Sequence, residues 1–220
     1  MTDKVIESNN VTVYGTVTSK PEFSHEMYGE GFYTVYLEVP RLSDIFDILP
    51  ITISERLVLG LNIDVDSKLL VEGQLRSYNK YHEGNNKLIL TVFARNLKTM
   101  AQEIKNPNQI YLDGYICKKP VYRTTPFGRE ITDMLLAVNR PYNKSDYIPC
   151  IAWGRNARYS ENLEVGDRIR IWGRIQSRNY QKKVSEEEFI TRTAYEVSIS
   201  KMELCDAEVD IDCENEEQRE

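Results

Sequence analysis

Tyr142, Tyr147, Trp153 and Tyr180 are interleaved with Arg140, Lys144, Arg155, Arg158, Arg174, Arg178, Lys182 and Lys183. Rings and cations mixed in this way suit unpaired nucleic acid: a flat ring stacks on a base face and a cation follows the phosphates. Each stacked base contributes roughly 1–3 kcal/mol, with little dependence on sequence. Taken singly, the same residues have plainer readings. A lone tyrosine more often belongs to a core or its rim, and an isolated Arg or Lys to a solvated surface. Trp172, mid-strand beside Gly173, reads as core or interface. The interleaving, not any one member, carries the expectation.

Covalent chemistry finds no comparable support. The HExxH, GxSxG, Walker A and HxE…CxxC patterns are missing. Asp64 with Asp66, and the run Glu186-Glu187-Glu188, read as solvated loop acids rather than as a metal site for nuclease chemistry. Cys117, Cys150, Cys205 and Cys213 form no CxxC pair, and His25 and His82 are too isolated to complete a zinc site. Cys117 and Cys150 fall in apolar strand patterns and read as buried free thiols. The expectation is a binding protein without catalytic activity, metal or cofactor.

Charge is informative once divided. Residues 1–105 hold 11 Lys and Arg against 14 Asp and Glu, residues 106–205 hold 16 against 12, and residues 206–220 hold one against eight. The second segment is thus basic, although the whole chain carries −6. A basic domain with an acidic appendage is compatible with a polyanion ligand. An acidic whole chain fails the simpler test for nucleic-acid binders. No apolar run approaches the roughly 18 residues that cross a membrane, and the polar start MTDKVIESNN does not read as a signal peptide. A reducing cytoplasm, in association with the nucleoid, is the expected location.

The elements that must position these side chains come in duplicate. Val11, Gly15, Lys20-Pro21, Arg41, Pro50 and Arg56 recur 99 positions later as Ile110, Gly114, Lys119-Pro120, Arg140, Pro149 and Arg155. After one added residue, Gly73, Ser77 and Asn79 match Gly173, Ser177 and Asn179. The period predicts two copies of one domain, at 1–105 and 106–205, joined by the short polar stretch Thr99–Gln109 and followed by a disordered acidic tail at 206–220.

Within the first copy, alternation and β-branched content predict strands at Val11–Val17, Phe32–Val39, Leu49–Ile53, Lys68–Leu75 and Lys87–Phe93. Turn signals at Tyr28–Gly31 and Glu83–Asn86 mark hairpin tips. The second copy repeats the pattern at Gln109–Cys117, Ile131–Val138, Ile148–Trp153, Asp167–Ile175 and Phe189–Ile199, with a short surface helix at Asn156–Leu163. Five strands with a helix between the third and fourth is the order of the OB-fold, a partly open Greek-key barrel. Strand count alone leaves an unrelated small sandwich as the alternative. The paired glycines at 15/114 and 73/173 suit a barrel that bends sharply at those points. The fold class expected is all-β, two tandem OB-folds.

Three stretches run along essentially the whole second copy: Asn108–Arg140, ending LAVNR; IPCIAWGRNAR at Ile148–Arg158; and VGDRIRIWGRIQSRNY at Val165–Tyr180. Through them it resembles the bacterial single-stranded DNA-binding proteins. The resemblance implies a barrel that wraps single-stranded DNA and protects it in replication, repair and recombination. It places base-stacking rings at Tyr142, Tyr147, Trp153 and Tyr180, with Arg140, Arg155, Arg174 and Arg178 as phosphate contacts. It also implies an assembly of four OB-folds, which a two-copy chain reaches as a homodimer, and replication or repair proteins as partners.

The first copy departs from that pattern. Ser43, Ile48, Ser54 and Lys80 occupy the four ring positions. Arg41, Arg56 and the run GQLRSYNKY remain, so Arg76, Tyr78 and Tyr81 are its own candidate contacts. The tail, DAEVDIDCENEEQRE, is acidic but lacks the hydrophobic tip through which the family recruits partners. A second reading therefore stays open, an assembly or loading factor acting mainly through protein contacts. RNA is a lesser alternative, because stacking does not distinguish the sugars.

Overall fold

The computed structural model describes residues 8–205 apart from positions 42, 44, 62, 83–84 and 184–188, with 81–82, 85–86 and 182–183 described at the backbone alone. The tail at 206–220, the acids Glu186–Glu188 and the side chains of Tyr81, Lys182 and Lys183 lie outside that description.

Alternation builds the strands. In β1 (Asn9–Val17), Val11, Val13 and Val17 are buried while Asn10, Thr12 and Thr16 face away from the core. Next come β2 (Glu22–Met27), β3 (Glu30–Pro40), β4 (Phe46–Ser54), the short helix α1 (Glu55–Leu59), β5 (Lys68–His82) and β6 (Asn85–Thr99). The main strands close in the order β1-β3-β4-β6-β5-β1. Every pairing is antiparallel except β4 with β6.

The second half repeats this with β7 (Asn108–Ile116), β8 (Val121–Thr124), β9 (Glu130–Arg140), β10 (Lys144–Trp153), α2 (Arg155–Ser160), β11 (Arg168–Lys183) and β12 (Phe189–Leu204). Closure runs β7-β9-β10-β12-β11-β7, again with one parallel pair, β10 with β12. Each half is an OB-fold, and the all-β expectation holds.

Three differences from the sequence reading have physical causes. Two edge strands were not anticipated, β2 (EFSHEM, exposed throughout) and β8 (VYRT). Neither alternates cleanly, and each is held by hairpin pairing to β3 or β9. The fourth and fifth strands of each barrel run well past their apolar segments: β5 and β11 reach His82 and Lys183 as polar two-stranded arms. The helix α2 stops at Ser160, because Asn162 and Leu163 turn back onto Tyr159 and Ser160 and Leu163 is buried in the core.

Of the two glycine pairs expected to mark bends, 73/173 coincides with an irregularity in its strands. Both β5 and β11 shift register at the same place, before Gly73 and before Gly173. A Cβ at either glycine would collide with the carbonyl oxygen of Phe93 or Ser198 on the neighbouring strand. The tip between β2 and β3 is a two-residue loop, Tyr28 (φ 53°) and Gly29 (φ 76°), the pattern of a type I′ turn.

The barrels share one sheet. β1 pairs antiparallel with β7, centred on Val11 opposite Ile110, so the two halves are related by a pseudo-two-fold axis through that pair. Matching polar contacts fasten each β1-type strand to its own barrel: Asn9 brackets the Leu75 backbone (2.8 and 2.9 Å), and Asn108 brackets that of Ile175 (2.7 and 2.9 Å).

Candidate nucleic-acid interface

On β10 the inward residues Asp146, Ile148, Cys150 and Ala152 are buried, which turns Tyr147, Ile151 and Trp153 to the other face; Ile151 is covered there, while Tyr147 and Trp153 are exposed, roughly 20 Å apart along the strand. The Trp153 indole Nε1 donates to Ser198 Oγ on β12 at 3.2 Å. That bond fixes the ring's edge and leaves the indole 37% exposed. Ser198 pairs with Arg174 on β11, and the same parity puts Gln176, Arg178 and Tyr180 on this face. Tyr147, Trp153, Arg178 and Tyr180 therefore share one outward surface of three strands. Glu196 lies at its centre, accepting from Gln176 Nε2 at 2.7 Å with Arg178 Nε at 3.8 Å.

Tyr142 sits apart from these, at the tip between β9 and β10. Its φ of 64°, with Asn143 at 53°, turns the chain and leaves the ring 94% exposed. Arg155, at the start of α2, is exposed and has no ion-pair partner among the described residues.

Four further candidate cations converge on two carboxylates that the sequence reading did not single out. Asp47 is fully buried and accepts from Arg41 Nε and Nη2 (2.8 and 2.6 Å), from the Ser177 backbone N–H (2.6 Å) and from Ser177 Oγ (3.1 Å). Arg174 Nη1 stands 4.0 Å away. Its counterpart Asp146, also fully buried, accepts from Ser77 N–H (2.7 Å) and Arg76 Nη1 (3.1 Å), with Arg140 Nε at 3.2 Å as an ion pair. Ser177 belongs to the second barrel and Asp47 to the first, and the reverse holds for Ser77 and Asp146. Each carboxylate thus ties its own barrel to the arm of the other. Hydrogen bonding to Asp47 raises the Arg41 pKa above the usual arginine value, whereas burial lowers Arg76 and Arg174 below it. A signal for this pairing was present in the chain: an acid at an inward position of a strand, repeated at the same 99-residue spacing.

On the first barrel, Ile48 and Ser54 take the places of Tyr147 and Trp153, as the alignment of copies requires. Arg56 is bound bidentately by Glu30 at 2.9 and 3.0 Å, and that contact holds the Glu30 carboxyl below its ordinary pKa. Tyr78 is exposed, and the pKa of its hydroxyl is raised by partial burial and by nearby Tyr36. Tyr195 of the second barrel is pushed up to about 12, chiefly by burial and also by Tyr36. Among the described residues, no group of three or more His, Cys, Asp or Glu stands close enough to hold a metal ion. No described helix is long and apolar enough to cross a membrane.

Residues 107–205 match the Single-strand binding protein family. The second barrel belongs to that family. Single-stranded DNA-binding protein 1 of Staphylococcus aureus (strain COL) is 36% identical over 91 residues, covering 38% of this chain and 54% of that protein. Single-stranded DNA-binding protein A of Bacillus subtilis (strain 168) is 33% identical over 96 residues, covering 40% of this chain and 56% of that protein. The chain spans about half the length of the curated single-strand binding proteins it matches. Both barrels together superpose on the crystal structure of the wild-type single-stranded DNA binding protein from Thermus aquaticus with a TM-score of 0.72. That match covers 90% of this chain and 92% of the other at 21% identity, a likeness of fold.

Proposed function

We propose that this chain binds single-stranded DNA with little sequence preference and without catalysis, mainly through the second barrel. The observation that carries the reading is the single outward face on which Tyr147, Trp153, Tyr180 and Arg178 stand together, three rings and a cation on a rigid three-stranded support. Tyr142 and Arg155 extend it as exposed groups at a turn and a helix start. Arg41, Arg76, Arg140 and Arg174 hold the barrels in register and add positive charge at the seam. On the first barrel, Tyr78 and Arg56 provide a weaker contact. Two chains assemble as a homodimer presenting four OB-folds in the cytoplasm, where the strand is protected during replication, repair and recombination.

The test is a fluorescence titration with oligo-dT at two salt concentrations, with duplex DNA and oligo-rU alongside. The expected result is quenching of tryptophan with tight, salt-sensitive affinity for oligo-dT and far weaker affinity for duplex, whose bases hide their faces. Absence of binding at low salt overturns the reading. Equal affinity for rU widens the ligand to RNA.

A further inference from the structure

A cavity of about 830 Å³ lies in the seam beside the stacking face. It is lined from three directions: Arg41 and Ser43 on the β3–β4 turn of the first barrel, Lys105 on the connection between barrels, and Trp172, Arg174 and Ser198 on the second barrel. Two properties set it apart from a gap between packed domains. The first is continuity with the face just described, since Ser198 both lines the cavity and accepts the Trp153 indole N–H. The second is charge. Arg41 and Arg174 share the one carboxylate of Asp47, which leaves a positive charge uncompensated, and Lys105 adds another without an ion-pair partner among the described residues. Burial already disfavours the charged form of Arg174, with Arg41 beside it a further cause. An anion in the cavity relieves that crowding.

We propose that this seam cavity is a phosphate channel through which the sugar–phosphate backbone of a bound single strand passes on leaving the Trp153 face. The stacking face of the second barrel is thereby completed by two groups of the first barrel and one of the connection. This rests on the single-strand reading above, and deepens it by assigning a path and three contacts, Ser43, Lys105 and Trp172, beyond the rings and cations of the stacking face.

The chain has two tryptophans, which makes the two places separately visible. In Trp153→Phe the emission comes from Trp172 in the channel; in Trp172→Phe it comes from Trp153 on the face. A dT oligomer of about 8 nucleotides, near the lower range for one OB-fold, should quench Trp153 and leave Trp172 unchanged. One of about 30, near the upper range for two OB-folds, should alter both. Lys105→Gln and Ser43→Glu, both at exposed positions, should weaken binding of the long oligomer several-fold and leave the short one unchanged. Lys105→Gln should also reduce the salt slope by about 0.7, the value of one phosphate contact on a single strand. Trp172 emission and both variants unchanged with the long oligomer, while Trp153 is quenched, would overturn the channel and leave the stacking face standing. Failure of Trp153 to respond to any oligomer overturns both.

Discussion

Trp153 is the residue on which base recognition turns. Its ring is held by one hydrogen bond at the edge, so both its position and its exposure are settled before any ligand arrives. Truncation removes a prepositioned stacking surface, and Trp153→Ala should weaken oligo-dT binding by about 1–3 kcal/mol, roughly 5- to 150-fold. Arg155→Ala, the loss of one exposed cation, should cost less and should lower the salt slope instead. Paired titrations over a salt series separate the two effects, and equal losses from the two variants would contradict the assignment. Cys150, three residues earlier on the same strand and on its opposite face, is employed differently. It is buried in the core, with its thiol pKa pushed well above the ordinary range by burial, and takes no part in the surface chemistry.

At the scale of elements, each barrel depends on a strand that bends without tearing. The shift before Gly173 lets β11 serve both the barrel wall and the arm beyond it, and the neighbouring carbonyl of Ser198 leaves no room for a methyl group. Gly173→Ala should therefore destabilise the protein by about 1–3 kcal/mol, seen as a lower midpoint in chemical denaturation. An unchanged midpoint would show that the bend relaxes freely. The same elements mark what could be read beforehand. Alternating Val11, Val13 and Val17, or the run KLILTVF, announce a strand because half their side chains must enter a core. Residues 176–183 carry no such pattern, for their arm is held by hairpin pairing and by contact with the other barrel. EFSHEM has no buried side at all. The rings at 147, 153 and 180 could be placed on one face by parity and resemblance. The arginines could be named but not apportioned, since their carboxylate partners are far away in the chain, as for Arg76 and Arg174, or hidden by inward parity.

For the whole molecule, the seam makes two barrels behave as one. The shared β1–β7 pairing and the two buried carboxylates predict that thermal unfolding proceeds in a single transition, visible by calorimetry. Asp47→Asn keeps the shape of the side chain but removes the charge that Arg41 and Arg174 share. It should lower stability by about 1–3 kcal/mol, because charge-assisted bonds at a buried site are lost. The double variant with Asp146→Asn should broaden the transition or split it in two. A single sharp transition in the double variant would assign the coupling to the strand pairing alone.

The axis through Val11 and Ile110 has one more consequence. A polynucleotide has a direction, and a two-fold axis does not: two equal halves would offer any strand two equivalent seats, each running opposite to the other. Covalent joining frees the halves to differ, and here the rings at 147, 153 and 180 are replaced by Ile48, Ser54 and Lys80 at the equivalent positions of the first half. The choice between seats is thereby written into the chain, and a strand settling on this molecule acquires a front and a back.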